Sequence, residues 1–250
     1  MRARRDGGAR VAAGPPRAPV QPHSFERAAL PGHDLPSDTA YRSLHVADLD
    51  LAGRSAKAVE FTQCRFTSVN LGGTTLGRAV VTDCVVENSN LANLQAEQSS
   101  WVRVQLSVLR MTGCHWTDGL LRDVRVTESR LDLASFRFTD FVRVRFERCN
   151  LTGADFVKAD LSGAQFIGCD LTGAQFSQAT MDGTRFARCA LAGIGGVTSW
   201  NGAIVRADDL VSLSHTLAAA LGIRIEDEAS GRGTCAITNS NRWGYAFCTR

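Results

Sequence analysis

The stretch CNLTGADFVKADLSGAQFIGCDLTG, residues 149–173, repeats the same kinds of residue every five positions. A large apolar residue sits third in each pentad, and a small residue opens it: Cys149, Ala154, Ala159, Ala164 and Cys169. An α-helix repeats every 3.6 residues and a β-strand every two, so a period of five fits neither. The stretch therefore predicts a structure built from repeated units of five residues.

The same register runs through most of the chain. Apolar residues occupy 30 consecutive positions at five-residue spacing, from Val46 to Leu191, without an insertion. The position two residues earlier is small or apolar throughout, with Arg54 as the one exception. Two inward and three outward residues in every five predict a wall that turns a corner once per pentad. Four such walls close a square coil of about 20 residues.

Residues spaced by 20 positions test this coil length. Every twentieth residue from Leu51 to Leu191 is leucine, except Met111. Three cysteines follow the same spacing: Cys149, Cys169 and Cys189. Coils stacked at the usual distance between strands, about 4.8 Å, would bring such residues into ladders. The pattern predicts an all-β fold, a quadrilateral parallel β-helix (solenoid), over residues 44–193.

The two ends of the chain lack this period. Residues 1–40 are basic and rich in Pro, Ala and Gly, and we expect a disordered arm there. Residues 197–227 carry leucines at helical spacing followed by Gly222, which predicts a helix that caps the open end of the β-helix. We expect residues 228–250 to form a flexible tail. The leucines of the capping helix are Leu210, Leu213, Leu217 and Leu221.

The tandem pentads ADFVK at 154–158 and ADLSG at 159–163 resemble the pentapeptide-repeat family. The resemblance covers about residues 44–193 and implies a right-handed quadrilateral β-helix. Some family members confer fluoroquinolone resistance and bind DNA gyrase, and a similar C-terminal helical segment joins two of their chains head to head. The resemblance therefore implies a homodimer, joined by the four leucines of the capping helix. It also implies DNA gyrase or a related type II topoisomerase as the partner, in a protection or resistance role.

Charge limits what the outside of such a rod can bind. The whole chain has a net charge of only +3, so we expect no direct binding of nucleic acid. Residues 46–191 carry 16 acidic and 16 basic side chains, so the rod is neutral and does not carry the net negative charge of DNA. The predicted coil nevertheless collects six carboxylates on one wall: Glu60, Asp83, Asp123, Asp140, Asp160 and Asp182. An adjacent wall collects six arginines: Arg65, Arg125, Arg145, Arg148, Arg185 and Arg188. We interpret the acidic wall as a contact surface for a protein partner. The alternative is that these charges only solvate the surface.

The sequence contains no pattern typical of catalysis or of cofactor and metal binding. A Walker loop and the GxGxxG, GxSxG and HExxH motifs are all absent. A filled rod also offers no water-excluding cleft for acid–base chemistry. We therefore expect a non-enzymatic protein with no cofactor and no metal. No run of about 18 apolar residues exists, and no apolar segment follows the basic N-terminus, so we expect a cytoplasmic protein outside the membrane.

The segment GRGTCAITNSNRWGYAFCTR, residues 231–250, holds two cysteines outside the repeat, Cys235 and Cys248. Three interpretations stay open for it: a flexible tail, a loop closed by a crosslink between these cysteines, and the core of a ribosomally made, modified peptide. In the third interpretation the β-helix is the leader of a precursor. The sequence thus leaves a macromolecule-binding protein, a structural scaffold with an unknown partner, and a precursor leader as candidate functions.

Overall fold

The computed structural model describes residues 14–30 and 32–224. Their regular structure consists of short strands, one 3₁₀ turn at Val197–Ser199 and one α-helix, α1, at Ala207–Ala220. The strands are β1 (Glu26–Arg27), β2 (Ala40–Arg42), β3 (Leu44–Ala47), β4 (Ser55–Lys57), β5 (Glu60–Thr62), β6 (Arg65–Thr67), β7 (Thr75–Gly77), β8 (Val80–Thr82), β9 (Val85–Glu87), β10 (Ser100–Ser107), β11 (Leu120–Thr127), β12 (Asp140–Val142), β13 (Arg145–Glu147), β14 (Gln165–Ile167), β15 (Arg185–Ala187) and β16 (Ile204–Val205).

The strands stack in parallel with a register of 20 residues. In β6 and β9, Phe66 lies beside Val86, and the column continues through β10, β11, β13, β14 and β15 to β16. Isolated bridges keep the same register on other sides of the coil, as where Asn70 lies beside Asn90. The predicted parallel β-helix and its square coil are therefore confirmed.

Each of the four faces of the coil has its own ladder of inward residues. The inward residues are buried because the parallel coils stack them directly on one another. We number the faces by these ladders: face 1 from Leu51 to Leu191, face 2 from Ala56 to Phe176, face 3 from Phe61 to Met181, and face 4 from Val46 to Phe186.

Stacked aromatic rings fill the core in the second half of the solenoid. On face 4, the rings of Phe146 and Phe166 stack with centroids 5.1 Å apart, and those of Phe166 and Phe186 also lie 5.1 Å apart. The indole of Trp200 closes this column, 4.6 Å from Phe186. The interior is thus a packed apolar column that holds the coils together.

The corner that follows each inward residue adopts a left-handed backbone conformation. Gly153 and Gly173 have φ values of 66° and 71° at this position. Non-glycine residues occupy it as well, for example Arg143 at 53° and Arg148 at 51°. The conformation costs a non-glycine residue about 1–2 kcal/mol, but the stacked coils impose it at every turn. Rows of outward side chains therefore line the corners.

The predicted disorder of residues 1–40 is wrong for residues 14–30 and 32–40. β1 pairs with β3, and β2 pairs with β5, so this segment adds strands to the start of the solenoid. The ring of Tyr41 also stacks on Phe61 at 5.3 Å. Composition alone predicted disorder because the segment has few apolar residues of its own, but the neighbouring coils supply its hydrogen-bond partners. Residues 1–13 lie outside the described residues.

Helix α1 covers the C-terminal end of the solenoid, as predicted. Gly222 ends the helix at φ 72°, and the N–H of Ile223 donates to Ala218 O at 2.8 Å, which is a Schellman motif. Side chains also replace the missing next coil. The N–H of Arg188 donates to Asp209 Oδ2 at 2.6 Å, in place of a carbonyl of a further coil. Asp209 thereby satisfies one main-chain donor at the open edge of the last coil.

Candidate partner-binding surfaces

The six predicted carboxylates do lie on face 3 and its corner with face 4, but they differ in exposure. Four of them are exposed: Glu60, Asp140, Asp160 and Asp182. The other two, Asp83 and Asp123, occupy the corner row and are only 6% and 2% exposed. The sequence therefore located the face correctly, but it did not distinguish outward carboxylates from those covered by the chain itself.

Asp83 and Asp123 belong to a corner row in which acids and arginines alternate. Both carboxylate oxygens of Asp83 accept hydrogen bonds from Arg103, at 2.6 and 2.7 Å. Asp123 accepts two hydrogen bonds from Arg143, both at 2.6 Å. Because these residues are 20 positions apart, each bidentate pair joins one coil to the next. We call these four residues the Asp–Arg row.

An N-terminal segment lies across the Asp–Arg row. The N–H of Arg17 donates to Asp123 Oδ1 at 3.1 Å, and the N–H of Val20 donates to Asp83 Oδ1 at 3.0 Å. The side-chain amide of Gln21 also donates to the main-chain oxygen of Asp83 at 2.9 Å. We call residues 15–25 the strap. Since both carboxylates already bind an arginine and the strap, the prediction that they contact a partner is wrong.

Three of the remaining carboxylates form an exposed group on the second half of face 3. Asp140 and Asp160 lie on neighbouring coils in direct register, and Asp182 lies one coil further along. Asp160 Oδ1 accepts hydrogen bonds from the N–H and the hydroxyl of Ser162, at 3.0 and 2.6 Å. We call these three carboxylates the acidic row.

The predicted arginine wall is face 4 and the corner that follows it. Three of its arginines pair with glutamates on the same or a neighbouring coil: Arg65 with Glu87, Arg145 with Glu147, and Arg148 with Glu128. The other three, Arg125, Arg185 and Arg188, form no ion pair within the described part of the chain. Face 4 therefore keeps a positive charge that the solenoid does not neutralise.

The four leucines predicted to form a dimer contact do not all face outward. Leu213 is 2% exposed and belongs to the core of its own solenoid, and Leu217 packs partly buried against that core. Leu210 and Leu221 are 51% and 75% exposed. The prediction is therefore wrong for Leu213, because the side chain that would join a partner instead fixes the helix to its own chain.

The described residues show no grouping suited to metal binding or nucleophilic chemistry. Within residues 14–30 and 32–224, no cluster of three or more His, Cys, Asp or Glu side chains could hold a metal ion. The six cysteines in this part of the chain are buried thiols, and burial raises the pKa of Cys114 above its ordinary value. Also within the described residues, no helix has the length and apolar character that a membrane crossing requires. Cys235, Cys248 and the whole segment 231–250 lie outside them.

Comparisons with known proteins agree with this architecture. The family model described as "Pentapeptide repeat region" matches residues 139–204. No curated protein sequence matches the chain significantly. A matching solved structure is HetL, a pentapeptide repeat protein involved in heterocyst differentiation regulation from the cyanobacterium Nostoc sp. strain PCC 7120. It is 17% identical over 67% of this chain and 85% of its own, with a TM-score of 0.39.

Another is full-length QnrB1, a plasmid-mediated fluoroquinolone resistance protein. It is 18% identical over 71% of this chain and 99% of its own, with a TM-score of 0.30. The fold defines this protein as a quadrilateral β-solenoid with a single C-terminal helix. The family model then identifies its repeat as a pentapeptide repeat region, which confirms the predicted resemblance to that family.

Proposed function

We propose that this protein acts by binding another macromolecule and not by catalysing a reaction. The observation that carries the proposal is the acidic row, which presents Asp140, Asp160 and Asp182 on successive coils of one exposed face. The interior cannot take this role, because apolar side chains fill it along its length. A flat face with charges at fixed spacing suits a partner of complementary charge.

The proposed partner is DNA gyrase or a related type II topoisomerase, with the protein as a protection or resistance factor. The resemblance of the repeat to the pentapeptide-repeat family supports this choice. The acidic row adds physical support, since an enzyme that holds DNA needs a positively charged surface that such a row can approach. The proposal includes a cytoplasmic location, where such a partner acts. The balanced charge of the solenoid makes a protein a better ligand than nucleic acid.

A supercoiling assay with DNA gyrase, with and without a fluoroquinolone, tests the proposal. Purified protein is expected to inhibit gyrase or protect it from the drug at low micromolar concentration. For the same inhibition or protection, the triple variant Asp140→Asn, Asp160→Asn and Asp182→Asn should be needed at a concentration at least about tenfold higher. This corresponds to a loss of about 1.4 kcal/mol in binding free energy. Asparagine keeps an oxygen for the turn at Ser162, so the fold should persist.

A second triple variant controls for the change in net charge. It neutralises three exposed carboxylates elsewhere, Asp50→Asn, Glu97→Gln and Asp208→Asn, and is expected to act like the wild type. Equal losses in both triple variants would show that net charge alone matters and would refute the acidic row as the contact. No effect of the wild-type protein at about 50 μM would refute gyrase as the partner.

The proposed assembly is a homodimer joined through α1. Leu210 and Leu221 are exposed, as are Val211 and Ile223, at 75% and 56%. An apolar group of this kind at the end of a rod is typical of an association site. In sedimentation experiments, Leu210→Asp with Leu221→Asp should weaken association at least about 100-fold, whereas Leu133→Asp, at a 67% exposed leucine on the solenoid, should not. A wild-type monomer at about 50 μM would contradict the dimer.

A further inference from the structure

The corner row that follows face 4 has a gap. Its residues repeat every 20 positions as Glu128, Arg148, Gly168 and Arg188. Because Gly168 has no side chain, the row is interrupted between two arginines, and a shallow groove of about 540 Å³ opens there. We call it the Gly168 groove. It is lined by Arg145, Glu147, Arg148, Ile167, Gly168 and Arg188.

The arginines of the groove differ in what they already bind. Arg148 Nη2 lies 2.7 Å from Glu128 Oε1, and Arg145 pairs with Glu147 inside the groove. The Arg188 guanidinium forms no hydrogen bond or ion pair with the residues that the structure describes. Among the described residues, Arg188 is therefore the groove arginine whose side chain is not already bound. Arg148 forms only an exposed ion pair with Glu128, and such pairs contribute little free energy.

The main chain of the groove is fixed by hydrogen bonds between coils. The N–H of Gly168 donates to Ala187 O at 2.8 Å, and the N–H of Arg188 donates to Asp209 Oδ2 at 2.6 Å. The positions from which the arginine side chains extend are therefore set before any ligand arrives. A preformed site loses less conformational entropy on binding than a mobile one.

We infer that the Gly168 groove binds an extended peptide segment of a protein partner that carries carboxylates. A guanidinium presents a planar fork of N–H donors that matches a carboxylate. Arg148 and Arg188 lie two coils apart, about 9.6 Å at about 4.8 Å per coil. A peptide in the extended polyproline II conformation advances about 3.1 Å per residue with three residues per turn, so residues three positions apart lie about 9.3 Å apart on the same side. Acidic residues three positions apart would thus meet both arginines. Ile167 between them offers contact to an apolar side chain.

The same groove suits nucleic acid poorly. Glu128 and Glu147 lie next to the arginines, so a continuous line of phosphates would meet negative charge at each step. The equal numbers of acidic and basic residues between positions 46 and 191 also provide no long positive track. A short acidic segment can contact the arginines and avoid the glutamates. The Gly168 groove lies at the corner after face 4, whereas the acidic row lies on face 3. The peptide-binding proposal and the gyrase proposal can therefore fail independently.

Fluorescence polarisation tests the inference with a defined probe. The probe is a fluorescein-labelled nine-residue peptide with two glutamates three positions apart and a leucine between them. The full-length protein should bind it with a dissociation constant of about 0.1–1 mM, and at least about tenfold more tightly than the same peptide with glutamines. Two variants, Arg188→Gln and Gly168→Glu, should each weaken binding of the glutamate peptide by at least about tenfold.

The Gly168→Glu variant has a matched control at another corner. An added Cβ at Gly168 would lie 3.7 Å from Arg148 Cγ, an ordinary contact, and Arg148 itself has a similar φ. Gly173→Glu makes the same change at a corner with nothing within 4 Å, and it should leave peptide binding unchanged. Both glycines have a left-handed φ, so the two variants should lose a similar amount of thermal stability. Equal binding of the glutamine peptide, or no binding up to about 5 mM, would overturn the inference. So would a single-stranded oligonucleotide that binds more tightly and loses affinity in the same two variants.

Discussion

Replacing Phe156 by alanine is expected to lower the free energy of unfolding by about 3–5 kcal/mol. The side chain is 0% exposed, and its ring stacks between those of Phe136 and Phe176, with both centroid distances 5.2 Å. The substitution removes this apolar contact and leaves a cavity. The cavity cannot collapse along the axis, because hydrogen bonds between coils fix the distance between them.

Urea denaturation followed by circular dichroism measures this loss, and Phe138→Ala provides the matched control. Phe138 is 40% exposed at a corner of the solenoid. Alanine fits that corner, since Ala58 has a φ of 53° in the same row. The same chemical change should therefore cost less than about 1 kcal/mol at Phe138. If Phe156→Ala cost as little, the column of stacked rings could not be what holds the coils together.

The sequence predicted the inside of this protein well, because a strict repeat determines which way each residue points. Once the period of 20 is known, Leu51 and Leu71 must lie in one ladder, and no packing calculation is needed. The helix was predicted for a similar reason: Gly222 is a local stop signal with its own hydrogen bonds. Helical spacing shows which leucines share a face of the helix. It does not show whether that face packs on its own solenoid or on a second chain, so Leu213 was wrongly assigned to the dimer contact.

The strap was missed because its contacts leave no pattern in its own sequence. Main-chain N–H groups bind the carboxylates, and any residue except proline has such a group. The residues of the solenoid that bind the strap did show a pattern in the sequence. Asp83, Arg103, Asp123 and Arg143 alternate in charge at intervals of 20, which places each carboxylate against an arginine of the next coil. Such alternation indicates ion pairs that neutralise each other within the solenoid, and not a negatively charged surface that attracts a partner.

Asp123→Ala is expected to cost about 3–5 kcal/mol of unfolding free energy at neutral pH, although the residue lies on the outer wall. Its carboxylate side chain is 3% exposed and that of Arg143 is 17% exposed, so the variant leaves a nearly buried guanidinium without its partner. It also removes the acceptor for the N–H of Arg17. The strap should then loosen, and trypsin should cut after Arg17 faster than in the wild type.

The pH dependence of this loss separates the ion pair from simple packing. Burial raises the pKa of Asp123, but hydrogen bonds from Arg143 and the Arg17 N–H outweigh it and hold the pKa below its ordinary value. The stabilisation is therefore fully present above the unfolded pKa, about 3.9, and is lost as the pH falls through the lower folded value. The difference in unfolding free energy between the wild type and Asp123→Ala should become smaller below about pH 4. Asp160→Ala, at an exposed carboxylate, should cost less than about 1 kcal/mol at any pH. A gap that stayed constant down to about pH 2 would mean that Asp123 acts by filling space and not by charge.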